Sequence, residues 1–252
     1  VNILELINKG DSQIEVTVRL YSINGDSVEE LRVLIPRFGQ RDVILNGFTT
    51  FVKDSYGIVE VQWAEGDIDG RLAFYSFENK AEIARRQLDE SADYAFAFTE
   101  PFQRNLKGNS YLNFNTYHPS FNPAERENMV AHGLSIANLD SINSKSYRVT
   151  FNYYENGTLV QDVVVINIPA YGRRDIEAGH NYGPDIVGTI IIEPLDPNAE
   201  YKAKLNYFGL DSKYGEKPGD HTFTVPLYAT RGSVDETWYL ITNTDDAVNW
   251  FE

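Results

Sequence analysis

A chain of 252 residues with 22 Lys and Arg against 37 Asp and Glu has a formal charge of −15 and a pI of about 4.7. Such a polyanion is repelled by nucleic acid and by anionic membrane surfaces, so neither is expected as a partner. There is no Cys, which excludes thiol catalysis and Cys-ligated metals, and no apolar run long enough to span a membrane.

The predicted elements are strands almost throughout. Ile3–Asn8 opens the chain, and the polar turn Lys9-Gly10-Asp11-Ser12 leads to Ile14–Tyr21. There Ile14, Val16, Val18 and Leu20 alternate with Glu15, Thr17 and Arg19, the period-2 pattern of a strand with one wet face. Asn24-Gly25 is a hairpin signal, because both residues tolerate positive φ. The partner strand Val28–Ile35 stops at Pro36, which cannot donate to a ladder. Val43–Leu45, Gly57–Trp63, Arg71–Phe77 and Tyr94–Thr99 follow, and Tyr111–Tyr117 is expected to close this half. The charged stretch Asn79–Asp93 has room for one short helix at Ala81–Leu88.

The second half repeats the plan. Leu134–Asn138, Tyr147–Tyr154, the hairpin turn Asn156-Gly157, Val163–Ile168 ending at Pro169, Gly188–Glu193, Tyr201–Tyr207 and His221–Leu227 match in order. Ile35-Pro36-Arg37-Phe38-Gly39-Gln40-Arg41-Asp42-Val43 returns as Ile168-Pro169-Ala170-Tyr171-Gly172-Arg173-Arg174-Asp175-Ile176. Leu4-Glu5-Leu6-Ile7-Asn8 returns as Leu134-Ser135-Ile136-Ala137-Asn138, and again near the end as Tyr239-Leu240-Ile241-Thr242-Asn243. Repeats at this scale set the architecture. The expectation is all-β: two tandem antiparallel β-sandwich domains of about seven strands each. They span residues 1–130, with an extra loop at about 117–131, and 131–236, followed by a partial third copy over 237–252.

With Leu-x-Leu-x-Asn, the Asn-Gly hairpin and the Ile-Pro-x-aromatic-Gly-x-Arg-Asp block in view, the chain resembles tandem immunoglobulin-like or fibronectin-III-like sandwich repeats of bacterial surface proteins. The antibody-type Cys…Trp…Cys core is absent. The resemblance implies a cell-surface, adhesive or fibre-forming role. The chain begins at Val1 rather than Met, as a mature secreted protein does after signal-peptide removal, and as an excised fragment does equally.

Reactive constellations are sparse. His118, His132, His180 and His221 have no metal-pair spacing, and neither His-Glu-x-x-His nor Gly-x-Ser-x-Gly occurs, so no enzyme activity is expected. Glu65, Asp67 and Asp69 alternate beside glycines, the hard-oxygen pattern that suits calcium, while a solvated turn explains them as well. No other cofactor is expected. The Arg-Asp pairs at 41–42 and 174–175 read as pins of a strand corner, with a binding element as the alternative. Trp63, Trp238, Trp250 and the 16 Tyr offer stacking faces for a glycan, though alternation assigns most of them to packing. Asn156-Gly157-Thr158 is also a glycosylation sequon.

The terminal segment carries the functional expectation. Trp238, Tyr239, Ile241, Val248, Trp250 and Phe251 cannot bury their apolar surface alone, and an unpaired strand invites pairing. The expected function is a non-catalytic extracellular structural protein. Its tandem sandwiches assemble end to end with other copies into a filament, surface layer or stalk, by terminal strand donation. The alternative is a carbohydrate-binding or adhesive module of a larger secreted protein.

Overall fold

The computed structural model describes all residues except 51–54, 78–93, 103–104, 117–128, 180–181, 183–185, 211–220 and 231–252. The helix expected at Ala81–Leu88 and the whole terminal segment lie outside the described residues. In the first half run β1 (Asn2–Asn8), β2 (Ile14–Ser22), β3 (Ser27–Ile35), β4 (Gln40–Ile44), β5 (Gly57–Gln62), β6 (Ile68–Phe77) and β7 (Tyr94–Pro101). Then come β8 (Leu106–Lys107), β9 (Ser110–Asn115), β10 (Met129–Asn138), β11 (Lys145–Glu155) and β12 (Thr158–Ile168). The chain continues through β13 (Arg173–Glu177), β14 (Val187–Pro194), β15 (Glu200–Leu210) and β16 (His221–Tyr228).

The protein is all-β, with four antiparallel sheets that form two sandwiches. The first sandwich faces the sheet β4-β1-β6-β7 with the sheet β3-β2-β5. The second faces β13-β10-β15-β16 with β12-β11-β14-β9, and β8 adds to β15. Strand for strand, β1 to β7 correspond to β10 to β16. Alternation builds both cores. Val16, Val18 and Leu20 of β2 are buried against Leu4, Leu6 and Ile35, as Val149 and Phe151 of β11 are against Leu134, Ile136 and Ile168.

Two sequence expectations change. In an immunoglobulin domain the second and third strands lie in opposite sheets. Here β2 pairs β3, and β11 pairs β12, because tight Asn-Gly turns return each strand to its neighbour in the same sheet. The strand order is therefore not the immunoglobulin one. The strand expected at Tyr111–Tyr117 exists as β9, but it does not close the first sandwich. It pairs with β14, from Ser110↔Ile192 to Asn115↔Val187, and its Leu112 and Phe114 sit in the second core. In the pairing, the first sandwich gives way to the second between Pro101 and Leu106, upstream of the boundary expected at residue 130.

Candidate interaction site where the two sandwiches meet

The repeated signature letters converge on one corner of each sandwich. Asn8 and Asn138, the last letters of Leu-x-Leu-x-Asn, are almost fully buried. Asn8 Nδ2 donates to the carbonyls of Ser12, Ile35 and Pro36 at 2.7, 3.3 and 3.1 Å, while Oδ1 accepts from the Gly10 N–H at 2.9 Å. Asn138 repeats the set with Asn143, Ile168 and Pro169 at 2.9, 3.2 and 3.0 Å, and with Asp140 N–H at 3.0 Å. A carboxamide is the side chain that donates and accepts at one place, so this corner needs Asn. The recurrence of the letter was legible in the sequence; the four partners were not.

The corner presents an unusual turn. Gly39 N–H donates to Pro36 O at 3.0 Å, and Gly172 N–H to Pro169 O at 2.9 Å. A Cβ on either glycine would lie 2.6 Å from the proline ring, which explains the glycine. The residue before it has φ 50 in both turns, a left-handed backbone that Gly or Asn adopts most readily, yet the residues are Phe38 and Tyr171. Their environments differ. Tyr171 stacks on Tyr21 with ring centroids 4.4 Å apart, whereas Phe38 is 70% exposed.

Tyr171 belongs to the contact between the sandwiches. From the same turn, Arg173 N–H donates to Ile23 O at 2.9 Å and Arg173 Nη1 to Gly57 O at 3.3 Å. Arg174 Nη1 also reaches Ile23 O at 3.3 Å. Gly25 of the first hairpin packs so closely that an added Cβ would lie 1.8 Å from Ala170 O. Burial, and then the Glu60 carboxylate that accepts the Tyr21 hydroxyl proton at 3.1 Å, raise the Tyr21 phenol well above its ordinary range. Elsewhere across the contact, Lys204 Nζ lies 2.5 Å from Glu100 Oε2. In the second copy the Arg-Asp block lies both at its corner and at the contact between the sandwiches. Arg173 pairs with Asp175 at 2.8 Å and donates to Ser135 Oγ at 3.0 Å while reaching the other sandwich.

β9 is the second link. Its Leu112 lies opposite Ile190 and its Phe114 opposite Gly188 of β14, and Leu112, Phe114, Ile190 and Ile192 are all buried in the second core. In the first sandwich the corresponding Val59 and Val61 of β5 are only partly buried, and among the described residues β5 is an edge strand. The sequence after β16 repeats the sequence after β7: Tyr111-Leu112-x-x-Asn115-Thr116 returns as Tyr239-Leu240-x-x-Asn243-Thr244. The expected assembly residues Trp238, Tyr239, Ile241, Val248, Trp250 and Phe251 themselves lie outside the described residues.

Asp67 and Asp69 face Lys9 at 3.1 and 3.6 Å, so these two carboxylates of the acidic loop are engaged by a cation of the chain; Glu65 sits in the same turn. Among the described residues no group of three or more His, Asp or Glu side chains is gathered as a metal ion requires. Among the described residues no helix is long and apolar enough to cross a membrane. Trp63 stacks beside Phe102 at 6.2 Å against the first core. A shallow cleft of about 470 Å³ opens at the far end of the second sandwich, lined by Asn113, Asn152, Tyr154, Leu159, Val187 and Thr189. Asn156, the sequon residue, holds the hairpin turn with φ 50. No protein-family model matches the chain, and a search of curated proteins gives no match.

Proposed function

We propose that the protein is a non-catalytic extracellular structural subunit whose tandem sandwiches assemble end to end, as a filament, surface layer or stalk, each molecule donating its terminal strand to the next. The observation that carries this reading is β9. A strand that follows the first sandwich in sequence completes the sheet of the second, supplying two buried side chains to its core. Tyr239–Asn243 stands in the same place in the sequence after β16. The matching acceptor is β5, whose outer edge carries no strand among the described residues. Main-chain pairing along that edge would give affinity, and Leu240 would cover Val59 and Val61. Such a contact is head-to-tail and propagates unless it closes into a ring.

The test is deletion of Thr237–Glu252 followed by electron microscopy and sedimentation. Loss of polymers in the deleted chain is the expected result. Polymers that persist unchanged would rule out donation through this segment.

One observation favours the rival reading of a carbohydrate-binding or adhesive module. The cleft at Tyr154 combines an exposed aromatic face with the amides of Asn113 and Asn152, the pairing that sugar rings use. Glycan-array binding by a monomeric parent, lost on Tyr154→Ser, is the result that reading requires.

A further inference from the structure

The open edges of the sheets differ in length and charge. β4 has two charged residues in five, and β3 has Glu29, Glu30 and Arg32 in nine. β12 is eleven residues long with Asp162 as its single charge, and among the described residues no strand lies beyond it. A long apolar edge attracts further strands, and charge on the edge is a common defence.

The two copies part company at this edge. Ile35 and Ile168 occupy the same corner, each with its carbonyl on the buried Asn. Counting back from them along β3 and β12 sets Glu30 with Val163 and Arg32 with Val165. In the first sandwich Glu30 belongs to a charged row. Arg19 opposite it reaches Glu30 at 2.7 Å and Glu60 at 3.4 Å, and Arg32 lies 3.7 Å from Glu15. In the second sandwich the same row reads Val163, Thr150, Ile191 and Tyr111 across four strands. Val163 is 51% exposed and Val165 56%. The charges that guard the edge of one copy are missing from the other.

The main chain of β12 is available as well. A residue in an antiparallel strand directs its N–H and C=O to one side, and the sides alternate. Ser146 O accepts from Leu195 N–H at 2.9 Å, on the side of β14, so its neighbour Asn167 faces away from β11. By alternation Val165, Val163 and Gln161 face away too, and their side chains lie on the outer face of the sheet. Gln161 Nε2 donates to Asn152 Oδ1 at 2.6 Å, and Asn167 Nδ2 to Ser146 Oγ at 3.0 Å. Each amide is thus anchored to β11 by one N–H, with its oxygen and second N–H left for a neighbour on the other side.

We infer that β12 pairs antiparallel with β12 of a second molecule, about a two-fold axis at Val164, and joins two four-stranded sheets into one. This register sets Val163 against Val165, and Gln161 against Asn167, once on each side of the axis. These are the residues whose N–H and C=O groups face outward, so they exchange main-chain bonds. Matched cross-strand neighbours are what stabilise a sheet face. Asp162 lies on the core side, where the Tyr182 hydroxyl donates to it at 2.8 Å, and no like charges are brought together. A register centred on Val163 would set Gln161 against Val165 and Leu159 against Asn167, polar against apolar. The contact is isologous and closes at two molecules. It goes beyond strand donation and does not use the terminal segment. With donation at β5 it joins two filaments of opposite direction, and without donation it gives a dimer.

The chain has no Cys, so one introduced thiol can report the axis. Val164 meets its own copy in a pair without mutual main-chain bonds, where Cα atoms approach to about 4.5 Å, within disulfide reach. Full-length Val164→Cys oxidised with diamide is expected to form a covalent dimer about tenfold faster than Leu31→Cys, the matching position on the charged β3 edge, because pairing raises the local thiol concentration. The dimer is scored on denaturing gels, whether or not polymers form. Val163→Lys and Val165→Glu alter exposed side chains and keep the parental thermal midpoint. Added singly to Val164→Cys, each is expected to slow linkage about tenfold, as charge on an edge does. An equimolar mixture of the two double variants restores it as a mixed dimer, since the introduced lysine then faces the introduced glutamate. Val164→Cys that links no faster than Leu31→Cys overturns the pairing; if deletion of Thr237–Glu252 then makes it fast, the edge belongs to the chain's own tail instead. A mixture without recovery overturns the register centred on Val164. Polymers that survive the same deletion count against strand donation alone, so the two readings fail separately.

Discussion

At the scale of the residue, Asn138 and Asn8 show how one buried side chain fixes a fold's corner. Replacing Asn138 by Ala removes the amide that serves three carbonyls, of which Pro169 O keeps the Gly172 N–H, and takes the acceptor from the Asp140 N–H, at a cost of about 2–4 kcal/mol. Asn138→Asp, nearly isosteric, sets a carboxylate oxygen against the same carbonyls and should cost at least as much; urea denaturation measures both. Asp140, next to this corner, contributes in a pH-dependent way. The N–H groups of Asn143 and Ile142, and then the Lys145 ammonium, hold its carboxyl down at about 2, below the ordinary 3.8. A folded-state value below the unfolded one means that its contribution is complete above about pH 4. The contribution is lost as pH falls through about 2. Asp140→Asn keeps an acceptor oxygen for the two N–H groups but no charge, so its thermal midpoint should fall less steeply than the parent's between pH 5 and pH 2.

At the scale of the element, β9 and the two hairpins decide how the sandwiches are joined. Phe114→Ala empties a fully buried site and should cost about 3–5 kcal/mol. The loss belongs to the unfolding transition of the second sandwich, although residue 114 falls in the half of the sequence assigned to the first. The hairpin glycines form a controlled pair. Gly25→Ala and Gly157→Ala both place a Cβ at positive φ, at roughly 1 kcal/mol each. Only Gly25→Ala also drives a methyl into Ala170 O, so its additional loss, read by calorimetry on dilute monomer, measures the contact between the sandwiches. Strand positions, hairpin turns and proline stops were legible in the sequence because alternation and turn chemistry are local. The sheet that β9 joins was not, because Tyr111-Leu112-Asn113-Phe114 reads as a good edge strand for any open edge. Phe38 and Tyr171 are likewise one letter class in the sequence, and only the fold shows that one is covered and the other bare.

At the scale of the whole molecule, the pairing predicts where the chain can be divided. A fragment starting near residue 105 and ending near 236 keeps β8 and β9 with the second sandwich. A fragment of residues 131–236, the boundary suggested by the repeat, lacks Leu112 and Phe114 and leaves Ile190 and Ile192 on an open edge. The shorter fragment should be less stable by about 5 kcal/mol or more, which is comparable to the whole stability of a small domain. Denaturant melts of the two fragments check this. The two-sandwich architecture was legible from the repeat, while the frame in which the repeat folds required the sheet partners.

That frame has a consequence for how such a chain can change in length. The unit that repeats in sequence and the unit that folds are offset by β8 and β9, so the second sandwich takes its last edge strand from the unit before it. Adding or removing whole periods, wherever the cut is made, leaves the interior junctions intact. The first sandwich keeps its β5 edge, which carries no further strand among the described residues, and its exposed Phe38 turn. The polarity of the molecule is thus independent of the number of units. Unit number would set the distance between contacts along an assembly and leave the contacts themselves unchanged.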